Sequence, residues 1–174
     1  AAERPPAPPS NAAEKAAALE KKASSLVDVK AQANICVQKG QFAEAVQLYT
    51  TVLQNSSAGE DLTIACLNNR AQAFLRLSQF VRAEQDATAV LKKYNIGSEA
   101  LSKSVLAEAA KKAYFRRAMA RRSLGSLQGS IEDFHALLKL TGPEGKSKAI
   151  ETELARAQQL LDEQRRSELR AKPR

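Results

Sequence analysis

Residues 65–91, ACLNNRAQAFLRLSQFVRAEQDATAVL, decide the fold of this chain. They hold two runs of helical periodicity split by a short polar break at Ser78–Gln79. Ala71, Phe74, Phe80, Ala83 and Leu91 fall at the spacings a packed helical hairpin needs. The arrangement occurs upstream in Gly40, Phe42, Ala45, Tyr49 and Leu53, and downstream in Gly125, Leu127, Ser130, Phe134 and Leu138. Three copies of one supersecondary unit predict an all-α stacked array.

The copies resemble the tetratricopeptide repeat (TPR), a 34-position unit of two antiparallel helices. Setting Gly40, Ser78 and Gly125 equivalent at position fifteen places Ala33, Ala71 and Ala118 at position eight, and Ala45, Ala83 and Ser130 at position twenty. Position seventeen is Phe42, Phe80 and Leu127, and position twenty-eight is Leu53, Leu91 and Leu138. Small residues let two helices approach, while large ones fill the space between neighbouring pairs. The resemblance implies three TPR hairpins stacked as a right-handed superhelix with a C-terminal capping helix. The chain departs from the pattern at the closing proline, where Ser57, Asn95 and Gly142 stand, and at position twenty-seven, which holds Val52, Val90 and Leu137 instead of alanine.

Along the chain, residues 1–10 hold four of the six prolines and read as a disordered arm. Residues 11–25 are alanine-rich and read as a helical extension that Asn11 caps, with Ser25 and Asp28 offering a second start. The repeats occupy about 26–59, 64–97 and 111–142, within 26–142, and residues 98–110 are an insertion that lengthens the third repeat's first helix backwards. Thr141–Gly142–Pro143 stops the array, and residues 143–174 read as the capping helix and tail, with Ile150, Leu154, Ala157, Leu161 and Leu169 on one stripe.

The chain of 174 residues has room for a sizeable core in one domain. No apolar run reaches the roughly 18 residues of a membrane span, and no secretory leader opens the sequence. Cys36 and Cys66 read as buried free thiols of a reducing, cytoplasmic setting. Phosphate loops, metal-ligand spacings and nucleophile elbows are missing. His135 is the single histidine, and Glu132–Asp133 and Asp162–Glu163 are sequence neighbours that do not face each other on a helix. The sequence therefore predicts a binding module, not an enzyme, with no cofactor and no metal. Its net charge of +8 invites an acidic partner.

Helical geometry puts positions two, five, six, nine, twelve and thirteen of each first helix on one arc of roughly 120°. In the three copies these eighteen positions hold five cations and no acid. Lys30 and Asn34, four apart, converge on one spot, as do Lys112 and Arg116, and Asn69 enters from the second repeat. These five residues resemble the two-carboxylate clamp of co-chaperone TPR domains. By that resemblance Lys30, Asn34 and Asn69 hold the terminal carboxylate of a cytosolic 70- or 90-kDa heat-shock chaperone ending Glu-Glu-Val-Asp, and Lys112 and Arg116 reach the aspartate side chain. Val37, Gln72, Arg76, Phe115, Met119 and Arg122 complete the expected groove. The NNRA and YFRRA segments are similar to those of the myosin-folding co-chaperone and of mitochondrial import receptors. The run KKAYFRRAMARR, basic on every side of its helix, leaves an alternative open: a basic scaffold for nucleic acid, acidic lipid or another acidic peptide.

Overall fold

The computed structural model describes residues 11–97, 102–142 and 148–171, with side chains from Ser25 onward. The proline-rich arm expected at 1–10 lies outside the described residues. Among the described residues seven helices follow in order: α1 (Asn11–Gln38), α2 (Phe42–Leu53), α3 (Glu60–Arg76), α4 (Phe80–Ile96), α5 (Lys103–Ser123), α6 (Leu127–Thr141) and α7 (Lys148–Ala171). Each packs on the next, and α3 also touches α1 and α5. The result is an all-α, right-handed superhelix of three hairpins, α1–α2, α3–α4 and α5–α6, with α7 on the last. α1 runs through Ser25 without a break, so no second helix starts there.

The three turns are built alike. Gly40, Ser78 and Gly125 have φ of +77°, +56° and +80°. Around each, paired backbone bonds close the preceding helix: Gly40 N–H to Val37 O and Gln41 N–H to Cys36 O in the first copy. The equivalent bonds are Ser78 to Leu75 with Gln79 to Phe74, and Gly125 to Arg122 with Ser126 to Arg121. This is a Schellman closure, whose left-handed residue is usually glycine. Serine at position 78 carries the steric cost of that conformation in the middle copy.

Contact between paired helices follows from the small residues. Ala33, Ala71, Ala118, Ala45, Ala83 and Ser130 are all 0% exposed. Ser130 repays its burial by donating its hydroxyl to the Ala118 carbonyl at 2.8 Å, joining positions twenty and eight of the third copy. Position twenty-seven is the more consistent filler: Val52, Val90 and Leu137 are buried in all three copies. At position twenty-eight only Leu91 is fully buried. Phe134 is inaccessible between α5, α6 and α7, a burial worth about 1.5–3 kcal/mol.

α7 caps the array with its first half alone. Ala157 is buried, and Ile150, Leu154 and Leu161 pack on Phe134, Leu137 and their neighbours. An ion pair from Arg122 to Glu153 clips the helix to α5. The expected stripe stops at Leu161: Leu169 is 69% exposed, because the helix has outrun the surface beneath it.

Cys36 and Cys66 are free and buried in the core between α1, α2 and α3. Burial pushes the Cys66 thiol up to about 11, with Lys30 and Arg70 opposing. Its folded value lies above the ordinary 9.0, so its contribution to stability is complete below pH 9.0 and is lost as pH rises toward about 11. Both thiols should resist a thiol reagent at neutral pH until the protein unfolds. Labelling with mass readout across a thermal melt checks this, and modification well before the melt would show the first hairpin opening alone.

Candidate functional site

The inner faces of α1, α3 and α5 line a groove made of two cavities that meet at Lys112. The polar one, 490 Å³, is bordered by Lys30, Asn34, Asn68, Asn69 and Lys112. The apolar one, 660 Å³, is lined by Gln72, Leu75, Arg76, Lys112, Phe115, Arg116 and Met119, with Leu137 and Ile150 contributed by α6 and α7. The structure thus brings Lys30, Asn34, Asn69 and Lys112 around one space, with Arg116 in the lining of the adjoining one.

Side-chain amides in the polar cavity are oriented by a network. Asn34 Oδ1 accepts from the Tyr49 hydroxyl at 2.6 Å and from Asn69 Nδ2 at 3.0 Å. Burial raises the Tyr49 pKa, so this hydroxyl keeps its proton and donates. With its oxygen occupied twice, Asn34, which borders the cavity, has its amide N–H groups left to donate. Asn68, almost wholly buried, donates to the Ala109 carbonyl at 3.1 Å and accepts from Arg116 Nη1 at 3.0 Å. Arg116 Nη2 donates to Gln72 Oε1 at 2.8 Å.

Arg116 is the unusual group. It is half-buried, both of its acceptors are neutral amides, and burial lowers its pKa to about 10, with Tyr49 opposing. The guanidinium stays protonated at neutral pH, so the shift expresses lost hydration without a compensating anion. Arg121, five residues on, shows the opposite sign. Burial pulls it down, but hydrogen bonds and charge from Glu84 and Asp133 more than offset that and its pKa is raised.

The rest of the basic run is paired. Lys111 bridges Glu108 at 2.6 Å, Arg117 grips Asp133 through two bonds of 2.9 and 2.6 Å, Arg121 spans Glu84 and Asp133, and Arg122 holds Glu153. Within Lys111–Arg122, Lys112 and Arg116 are the cations without a carboxylate partner among the described residues. The ion pairs engage Lys111, Arg117, Arg121 and Arg122, four of the six cations in this run.

Two groove expectations change. Arg122 is taken by Glu153 and lines neither cavity, and Val37 packs into the first core cluster instead of the groove. Arg76 borders the apolar cavity as expected, with its guanidinium 6.0 Å over the Phe42 ring. The groove is also not free of acids: Asp61 of α3 and Glu108 of α5 border the polar cavity from outside the eighteen positions considered. Sequence reasoning missed Tyr49 and Asn68 as supports. Tyr49 carried a signal, since a polar-tipped aromatic buried under a groove must find a partner.

No protein-family model matches the chain. RNA polymerase II-associated protein 3 of Xenopus tropicalis is 31% identical over 112 residues, which are 64% of this chain and 14% of that protein. The chain thus spans a small part of the curated relatives it matches. Among solved structures, the first TPR of Spaghetti (RPAP3) bound to the HSP90 peptide SRMEEVD aligns with a TM-score of 0.62 at 26% identity, covering 80% of this chain and 95% of that one. The second TPR domain of human RPAP3, in complex with the HSP70 peptide SGPTIEEVD, gives 0.58 at 26% identity, covering 80% and 98%.

Proposed function

We propose that this tetratricopeptide-repeat domain is a co-chaperone adaptor. It binds the Glu-Glu-Val-Asp terminus of a cytosolic 70- or 90-kDa heat-shock chaperone through a two-carboxylate clamp of Lys30, Asn34, Asn69, Lys112 and Arg116. The observation that carries this is Arg116, a desolvated cation facing neutral amides beside a polar cavity whose other donors are Lys30, Asn34 and Lys112. Burying a charge without its counter-charge is costly for the folded domain. The cost is offset when an anion arrives, and a chain ending in aspartate brings two carboxylates close together. The two aligned RPAP3 domains were solved with peptides that end in this sequence, which supports the choice of ligand.

The terminal carboxylate then sits among Lys30, Asn34 and Asn69, and the aspartate side chain sits between Lys112 and Arg116. Residues further upstream run over Phe115 and Met119 into the apolar cavity, where burial of their side chains adds affinity.

Calorimetric titration with a heptapeptide ending Glu-Glu-Val-Asp, as free acid and as C-terminal amide, tests the assignment. Amidation removes one charge and leaves charged donors facing a neutral group. A charge-assisted contact is worth about 1.5–3 kcal/mol, so affinity should fall by roughly tenfold to a hundredfold. Arg165→Ala, on the exposed half of α7, should leave both affinities unchanged. Equal binding of the acid and the amide would reject the clamp.

A further inference from the structure

The polar cavity is walled on one side by turns that lie outside the repeat. α5 begins at Lys103, whereas the third repeat begins at Lys111, so 111 − 103 = 8 residues of helix precede it. At about 1.5 Å per residue they add roughly 12 Å of helix. These turns are fixed in place. Ser102 caps them, its Oγ accepting from the Val105 N–H at 3.4 Å. Leu106 and Ala110 are buried with Ile64, Ala87, Val90 and Leu91. The Ala109 carbonyl is held by Asn68 Nδ2, the amide whose oxygen receives Arg116.

The other face of the added turns borders the space around Lys30, Asn34 and Asn69. It presents Ser104, the 45% exposed Val105, and Glu108, and Asp61 from the first turn of α3 borders the same space. Among the residues bordering this space, the cations Lys30 and Lys112 stand on the repeats, and the acids stand on the added turns and the start of α3, Glu108 also pairing with Lys111 at 2.6 Å.

We infer that the α5 extension is an end-stop, closing the groove behind the clamp so that it admits a peptide's terminal carboxylate and rejects a chain that continues. This rests on the clamp reading, which fixes the direction of the ligand: upstream residues toward the apolar cavity, terminus toward α5's added turns. One extra residue pushes the terminal carboxylate onward by up to about 3.6 Å. The carboxylate then leaves Lys30 and meets Asp61 and Glu108, while the added backbone meets Val105. Like charges placed together at an interface are strongly disfavoured. The clamp rewards a carboxylate in one place, and the end-stop penalises one placed beyond it.

The two contributions separate in a double variant of the full chain, Asp61→Asn with Glu108→Gln, both exposed positions where an amide replaces a carboxylate of the same shape. Fluorescence anisotropy would use two labelled peptides, one ending Glu-Glu-Val-Asp and one with a glycine added after the aspartate. The parent protein should bind the glycine-extended peptide about a hundredfold more weakly, and the double variant should narrow that gap roughly tenfold. The unextended peptide should bind the variant slightly tighter, because two acids near an anionic ligand are gone. Equal affinity of the parent for both peptides overturns the end-stop, as does a gap that the variant leaves unchanged. Failure of the parent to bind the unextended peptide at all rejects the clamp, and the end-stop falls with it.

Discussion

Replacing Asp133 by alanine will lower the stability of the domain by about 3–5 kcal/mol, the cost of removing one partner from a buried ion pair. The Asp133 carboxylate is 3% exposed and is shared by two guanidinium groups, with a two-bond grip from Arg117 and a third bond of 3.1 Å from Arg121. Alanine leaves both cations partly desolvated on the surface where α5 meets α6, and Arg121 keeps Glu84 as its one carboxylate partner. In a domain of this size each kcal/mol shifts the melting temperature by roughly 2–4 °C, so calorimetry should show a loss of about 10 °C. The comparison is Glu108→Ala, which breaks the Lys111 pair at the surface, where Glu108 is 65% exposed. An exposed pair contributes about 0–1 kcal/mol, so that variant should melt close to the parent. An Asp133→Ala protein melting within about 2 °C of the parent would show that the pair carries no such energy.

The same ion pairs mark where reading the sequence stopped. The hairpins were legible because their requirements are local and recur. Ala33, Ala71 and Ala118 must be small for two helices to touch, and Gly40, Ser78 and Gly125 occupy a turn only a few residue types tolerate. Contacts that depend on the register between two helices were not legible. Arg70 grips Asp86 through two bonds of 2.8 Å, and Arg117 grips Asp133, in each case joining positions seven and twenty-three of one repeat. Read singly, Arg117 belonged to a basic run and Asp133 to an acidic neighbour pair. The signal was their recurrence at matching positions in two copies, with Gln32 and Leu48 replacing both in the first.

Side chains on the groove divide in a similar way. Helical periodicity set Lys30, Asn34, Asn69, Lys112 and Arg116 on the inner arc, the resemblance to clamp-type TPR domains singled them out, and the structure gathers them around the two adjoining cavities. Arg122 and Leu169 depended on where α7 would lie. That helix drew Arg122 out of the groove through Glu153, and it left Leu169 in solvent by outrunning the array. The insertion was visible as a spacing anomaly, but only its packing under Asn68 turned it toward the cavity.

Arg116→Met should separate binding from folding. The substitution removes a half-buried cation that no carboxylate compensates and keeps an unbranched chain of similar length. Two effects on stability oppose each other. Relief of the desolvated charge favours the variant, since apolar replacements of buried ions are often neutral or stabilising. The Asn68 oxygen, however, loses its donor, and an orphaned buried acceptor costs about 1–3 kcal/mol. The melting temperature should therefore stay within a few degrees of the parent, unlike the loss at Asp133. Binding has no such compensation, because methionine offers nothing to the aspartate carboxylate. Affinity for a free-acid Glu-Glu-Val-Asp peptide should fall by roughly tenfold to a hundredfold, and a peptide ending in alanine instead of aspartate should lose much less. The variant should also bind with a shallower dependence on salt, since one fewer charge pair forms. Calorimetric melts and peptide titrations of Arg116→Met and Asp133→Ala, run side by side, give the decisive comparison. If Arg116→Met melts as low as Asp133→Ala while binding its peptide normally, Arg116 is a structural cation and the clamp must be assigned elsewhere.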